Sequence, residues 1–248
     1  MRRGPQMRLL PLLLLLFPLA GGSVLAQLPP PPVPAPAPAR LVPAPPPLLP
    51  PPLPGVGQVL PPLNRPDRAL EAAIRQRLFH GPFDSVPGKE PDPDGTEWQQ
   101  ARTKGVRPRC EEVGEIRYVP ALVDLDGDGQ PEALAAAVGS FVCGSRGCTL
   151  FVFRQTPSGL ELVNELDRFE SPLLIDGQSR YGWQTLTLPA ALAADGPPGE
   201  LVQLVFDGRT YRLATEPAEA VPAGAATVVL QLDPVPFEQL GLPLPCVP

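Results

Sequence analysis

The chain has 248 residues, 40 of them proline, and a formal net charge of −6. Proline at that level without a glycine period argues against collagen and for an extended segment beside about one domain of ordinary sequence. Lysine occurs only at Lys89 and Lys104, and a chain this acidic is a poor match for a phosphate backbone, so no nucleic-acid partner is expected.

Residues 1–26 read as a secretory signal peptide. Arg2, Arg3 and Arg8 precede an apolar run over residues 9–20, and Val24-Leu25-Ala26 supplies a small-residue cleavage site, so the mature chain is expected to begin at Gln27. Pro11, Pro18 and Gly21-Gly22 break the run as a spanning helix, and no stable membrane span is expected after cleavage. The expected location is outside the cytoplasm, periplasmic or extracellular. Residues 27–63 form a proline-rich stalk, read as disordered, with unbroken proline at 29–32 and 45–47. In polyproline II, at roughly 3.1 Å per residue, it would hold the next domain about 100 Å from its start.

Residues 64–248 are expected to fold, with helices over 64–105, a β region over 110–232 and an extended tail over 233–248. In the first helix, 64–80, Asn64 is expected to cap, Pro66 to sit in the first turn and Asp67 to add favourable negative charge. Leu70, Ile74 and Leu78 make one apolar stripe, and Gly81-Pro82 ends it. His80, the single histidine, reads as a capping or surface residue. After a loop over 83–95, Thr96-Glu97-Trp98-Gln99 fits a capping box opening a short helix that Gly105 stops, with Trp98 as a core anchor.

Short apolar runs then predict strands at 116–125, 134–138, 149–154, 160–164, 173–175, 183–188, 201–206, 210–213 and 227–232. Turns are expected at Pro157-Ser158-Gly159 and Asp176-Gly177, a two-residue hairpin link at Asp207-Gly208, and a surface loop over 189–199. The alanine-rich stretch 131–138 has helix character, but Gly139 and Phe141-Val142 follow closely, so it is read as strand. The fold class is therefore α+β, mainly β: N-terminal helices followed by a small antiparallel sheet, as a meander or sandwich.

The chemistry concentrates in residues 123–132, Val-Asp-Leu-Asp-Gly-Asp-Gly-Gln-Pro-Glu. Calcium takes about six to eight oxygens. Asp124, Asp126 and Asp128 stand at loop positions one, three and five, and Gly129 at the sharp-turn position six. Gln130 can offer its backbone carbonyl, and Glu132 is expected to close the site. The first half matches an EF-hand loop, but Ala135 stands where that motif carries its closing acid. Three aspartates within five residues repel one another, and a cation relieves the repulsion. The expected cofactor is a structural calcium ion.

Four cysteines in an exported chain read as two disulfides with three connectivities. Cys143-Gly-Ser-Arg-Gly-Cys148 is a short loop suited to tight closure, which favours Cys143–Cys148 with Cys110–Cys246. The spacing is not that of a Cys-x-x-Cys redox pair, and too few Cys and His exist for zinc.

Residues 124–132 resemble the calcium loops of FG-GAP and VCBS-type β repeats. Residues 117–213 resemble small exported bacterial proteins of unassigned function. Those combine such a loop with segments like Cys143-Gly-Ser-Arg-Gly-Cys-Thr-Leu-Phe-Val152, Gly182-Trp183 and Phe206-Asp-Gly-Arg-Thr-Tyr211. They often carry glycine at the place of Arg146 and β-branched residues at 135–137. The resemblance implies a bacterial envelope location and supplies no activity.

No Gly-x-Ser-x-Gly, His-Glu-x-x-His or phosphate-cradling glycine loop is present, and a Ser/His/Asp site would rest on His80 alone. No catalytic residue is assigned. The expected function is a non-enzymatic envelope module that binds a protein or polysaccharide or serves as an assembly part. The alternatives are a carboxylate-dependent hydrolase and an inhibitor of an envelope enzyme.

Overall fold

The computed structural model describes residues 56–81, 95–189, 201–215 and 225–247. They belong to one unit, Leu49–Pro248. The signal peptide, residues 27–55 of the stalk and almost all of the loops at 83–95 and 189–199 lie outside the described residues.

In chain order the strands are β1 (Val56–Val59), β2 (Arg117–Val123), β3 (Glu132–Val138), β4 (Cys143–Gly144), β5 (Gly147–Thr156), β6 (Gly159–Phe169), β7 (Leu173–Arg180), β8 (Trp183–Pro189), β9 (Leu201–Phe206), β10 (Tyr211–Leu213), β11 (Ala226–Leu230) and β12 (Leu242–Pro243). Two α-helices, α1 (Arg68–Arg75) and α2 (Glu97–Lys104), precede most of them. One sheet runs β1-β11-β7-β8-β9-β10, the other β12-β2-β3-β5-β4, with β6 paired to β5. The chain is α+β and mainly β. Its pairs are antiparallel except β1 with β11.

Alternation along the second sheet gives it two buried faces. Val119, Ala121, Val123, Leu134, Ala136, Leu150 and Val152 pack with Leu186, Leu188, Leu204 and Leu230 of the first sheet. Tyr118, Ala133, Ala135, Ala137, Phe151 and Phe153 pack with Leu70, Ile74 and Leu78 of the helical segment and with Trp98. The result is three layers, with helices on one side and a second sheet on the other. Strand β3 lies at the centre and is buried along nearly its whole length. Its alanines fit because both faces are crowded, and that tertiary demand overrides their helix propensity. Tyr118 pins α1 to the sheet by donating its hydroxyl to Glu71 Oε1 at 2.9 Å.

Four expectations are corrected. Asp67, not Asn64, caps the first helix, accepting from the backbone of Ala69 (2.9 Å) and Leu70 (3.1 Å), and the helix continues as a π turn over Gln76–His80. The stalk ends earlier than residue 63, because β1 pairs in parallel with β11 and Leu60 N donates to Val228 O at 2.9 Å. Residues 55–60 are free of proline, so their N–H groups can join a ladder. Asp176-Gly177 is a register shift inside β7, not a turn; the hairpin turns at Tyr181-Gly182, both with positive φ. Finally, the Asp207-Gly208 link is a turn over residues 207–210, in which Asp207 Oδ1 accepts from Arg209 and Thr210.

The second helix follows its local chemistry. Thr96 N donates to Gln99 Oε1 (2.8 Å), Gln99 N donates to Thr96 Oγ1 (3.0 Å), and Gly105 ends it at φ 66°. The tail is more ordered than an extended strand alone. It carries β12, a bond from Leu244 N to Ile116 O (2.9 Å) and a bond from Arg75 Nη1 to Pro245 O (3.1 Å). The structure pairs Cys110 with Cys246 and Cys143 with Cys148.

Candidate metal centre

Strands β2 and β3 pair up to Val123 and Glu132, so residues 124–131 form the connecting loop. Each of Asp124, Asp126 and Asp128 offers a carboxylate oxygen within 4.8 Å of the others. The loop's own backbone aims them. Asp124 accepts from Gly127 N (2.8 Å) and Gly129 N (3.0 Å), Asp126 from Asp128 N (3.1 Å), and Asp128 from Gln130 N (2.7 Å). Gly129 is required by its φ of +86°, since nothing crowds a side chain there. Three anionic oxygens gathered this closely repel in water and attract a hard cation.

The loop is fixed to both sheets. Leu125, between two of the aspartates, is fully buried in the intersheet core. Its carbonyl accepts from Gln184 N at 2.7 Å, and the carbonyl of Asp124 accepts from Gln184 Nε2 at 2.8 Å. Gln184 in turn offers its carbonyl to Tyr211 Oη at 2.8 Å. Trp183 stacks on Phe206 with centroids 4.5 Å apart, and Tyr211 meets both rings edge-on. Three segments far apart in sequence, the acidic loop, Gly182-Trp183 and residues 206–211, thus meet at one end of the sandwich. The Cys143–Cys148 hairpin sits at the other end of β3, beyond the Ala137–Thr149 pair. Gln184 was missed in the sequence. Nothing in its type or neighbours marks a strand-opening glutamine as the clamp of a remote loop.

Glu132 is not brought into the three-carboxylate group. It is 1% exposed, and its Oε2 accepts the Leu125 N–H at 2.8 Å. It therefore braces the loop from beneath. Gln130 contributes a backbone N–H to Asp128 and is exposed.

Burial, foremost, pushes the Glu132 carboxyl above its usual range; the Leu125 N–H opposes this, and Asp126 and Asp128 add repulsion. A carboxyl raised on folding contributes stability in its protonated form. That contribution is present below the unfolded value and lost as pH rises through the folded one. Metal-free protein should therefore lose stability as pH rises through this range. Glu132→Gln keeps an acceptor for Leu125 and carries no charge, so it should flatten the decline and raise the melting temperature at neutral pH. Thermal melts in chelator across the acidic to neutral range check this. A variant with the wild-type slope would count against the assignment.

A groove of about 540 Å³ opens beside α1, lined by Pro62, Leu63, Asn64, Arg65, Pro66, Asp67, Arg68 and Leu122. Its carboxylate, Asp67, is committed to capping the helix. Among the described residues this groove assembles no acid pair for hydrolysis. Comparisons with protein-family models, with curated proteins and with solved structures found no match.

Proposed function

We propose that this protein is an exported, non-enzymatic module of the cell envelope, that its 124–131 loop takes one calcium ion, and that the folded domain binds an envelope protein or polysaccharide. The reading is carried by the gathering of Asp124, Asp126 and Asp128 in a loop anchored to both sheets through Gln184. An ion there would neutralise the bend and stiffen the end of the sandwich where three hairpin connections meet. Two disulfides support an oxidising compartment. The motif resemblance read from residues 117–213 would imply the same location.

The test is affinity capture from envelope extract with the whole protein as bait, in calcium and in chelator. A specific partner retained in calcium and released by chelator is expected. Turnover on a hydrolase panel, abolished by one carboxylate substitution, would replace this reading with the enzymatic one.

A further inference from the structure

The stalk meets the folded domain at an open sheet edge. β1 stands last in the first sheet, and among the described residues only β11 pairs with it. Leu60 N donates to Val228 O at 2.9 Å. Neighbouring residues of a strand turn their N–H and C=O groups to opposite sides, so those of Val59 face away from β11. Residues 57–59 are exposed, Val59 at 58%. Edge strands are commonly guarded by charge or proline. Val56-Gly-Gln-Val59 carries neither, and its one irregularity against β11 lies at its start, between Val56 and Gln58.

Apolar surface borders this edge. The chain leaving β1 reaches Leu63, 38% exposed, which lines the groove beside α1 with Pro62 and with Leu122, 45% exposed. Scattered apolar side chains on a surface are ordinary, but these adjoin unpaired backbone. The edge asks for a strand. The stalk of the same copy cannot supply it, because Pro50, Pro51, Pro52 and Pro54 lack the N–H that a ladder needs. The β1 of a second copy can.

We propose that two copies of this protein pair antiparallel through β1, making one continuous sheet about a two-fold axis at Gln58. Self-pairing sets a strand against its own sequence, and an uncharged strand then meets no like charge. Val59 of each copy stands opposite Gly57 of the other, and its outward N–H and C=O gain partners. The same register sets Leu63 of one copy opposite Leu53 of the other. The apolar stalk end, Leu53-Pro54, thereby runs past the other copy's groove and shields Leu63 and Leu122. A proline-rich segment suits that place, since it docks at little cost in chain entropy. The acidic loop takes no part, so the pairing is independent of calcium.

Sedimentation equilibrium of the whole protein over a wide concentration range, in calcium and in chelator, tests the pairing. Reversible monomer–dimer association is expected in both. Gln58→Lys sets like charges across the axis and should weaken association about fivefold. Val59→Pro removes an N–H that β11 does not use, and should weaken it further while the melting temperature shows the domain still folded. Directly opposed residues that are not hydrogen-bonded to each other have Cα atoms about 4.5 Å apart, within reach of a disulfide. Gln58→Cys should therefore cross-link two copies on mild oxidation, and Ser158→Cys, exposed on the β5–β6 turn, should not. A chain that stays monomeric at every concentration would overturn the proposal and leave the edge to a strand of another protein. A dimer that Gln58→Lys and Val59→Pro leave unchanged, or cross-linking no better at residue 58 than at 158, would overturn it too.

Discussion

Replacing Cys110 and Cys246 together by serine is expected to cost about 5 kcal/mol by the chain-entropy model, an upper-end figure for a bridge of this span. The two residues are 136 positions apart, so the bridge encloses most of the domain and restrains the unfolded chain strongly. The loss would not stop at entropy. Cys246 holds the tail in which β12 pairs with β2 and Pro245 accepts from Arg75. The Cys143–Cys148 bridge closes a ring only five positions wide, and the matching change there should cost about 2 kcal/mol. Denaturant unfolding of both double variants measures the difference. Equal losses would mean that the long bridge acts through something other than chain restraint.

The second large effect is expected at Trp98. Trp98→Ala should cost about 3–5 kcal/mol, at the upper end, because it removes the single buried anchor of α2. It also takes a donor from Glu165, a nearly buried carboxylate left then to Arg77 and Arg102. The ring packs edge-on against Phe141, which itself stacks on Phe79, so the cavity would open between both helical segments. Trp98→Phe should recover much of the packing and none of the hydrogen bond. A loss below about 1 kcal/mol for the alanine variant would place the helical layer outside the cooperative core.

What was legible in the sequence was local chemistry. Thr96 and Gln99 cap α2 as their spacing dictates, and Trp98 is the anchor its surroundings suggested. The aspartates converge because turn geometry acts over five residues. What was hidden depended on partners far along the chain. Val56–Val59 looked like stalk because its ladder partner, β11, lies some 170 residues later. The far half of β6 looked unlike a strand because Glu165 and Asp167 stand where a sheet normally buries apolar groups. Their burial makes sense only once Arg77 and Arg102 arrive from the helices. Asp176-Gly177 has turn chemistry, yet the chain uses it as a bulge and reverses at Tyr181-Gly182 instead. Glu132 carried the right charge for a ligand, but its place opposite Val123 on β3 turns it to the buried Leu125 N–H.

Calorimetric titration of calcium into chelator-treated protein, alongside Asp126→Asn, goes to the heart of the matter. One site per chain at about 10⁻⁴–10⁻³ M, lost in the variant, with a rise in melting temperature at millimolar calcium, is the outcome predicted for a weak extracellular-type loop. No heat and no thermal shift, or equal binding by wild type and variant, would show that the three aspartates hold their bend without an ion.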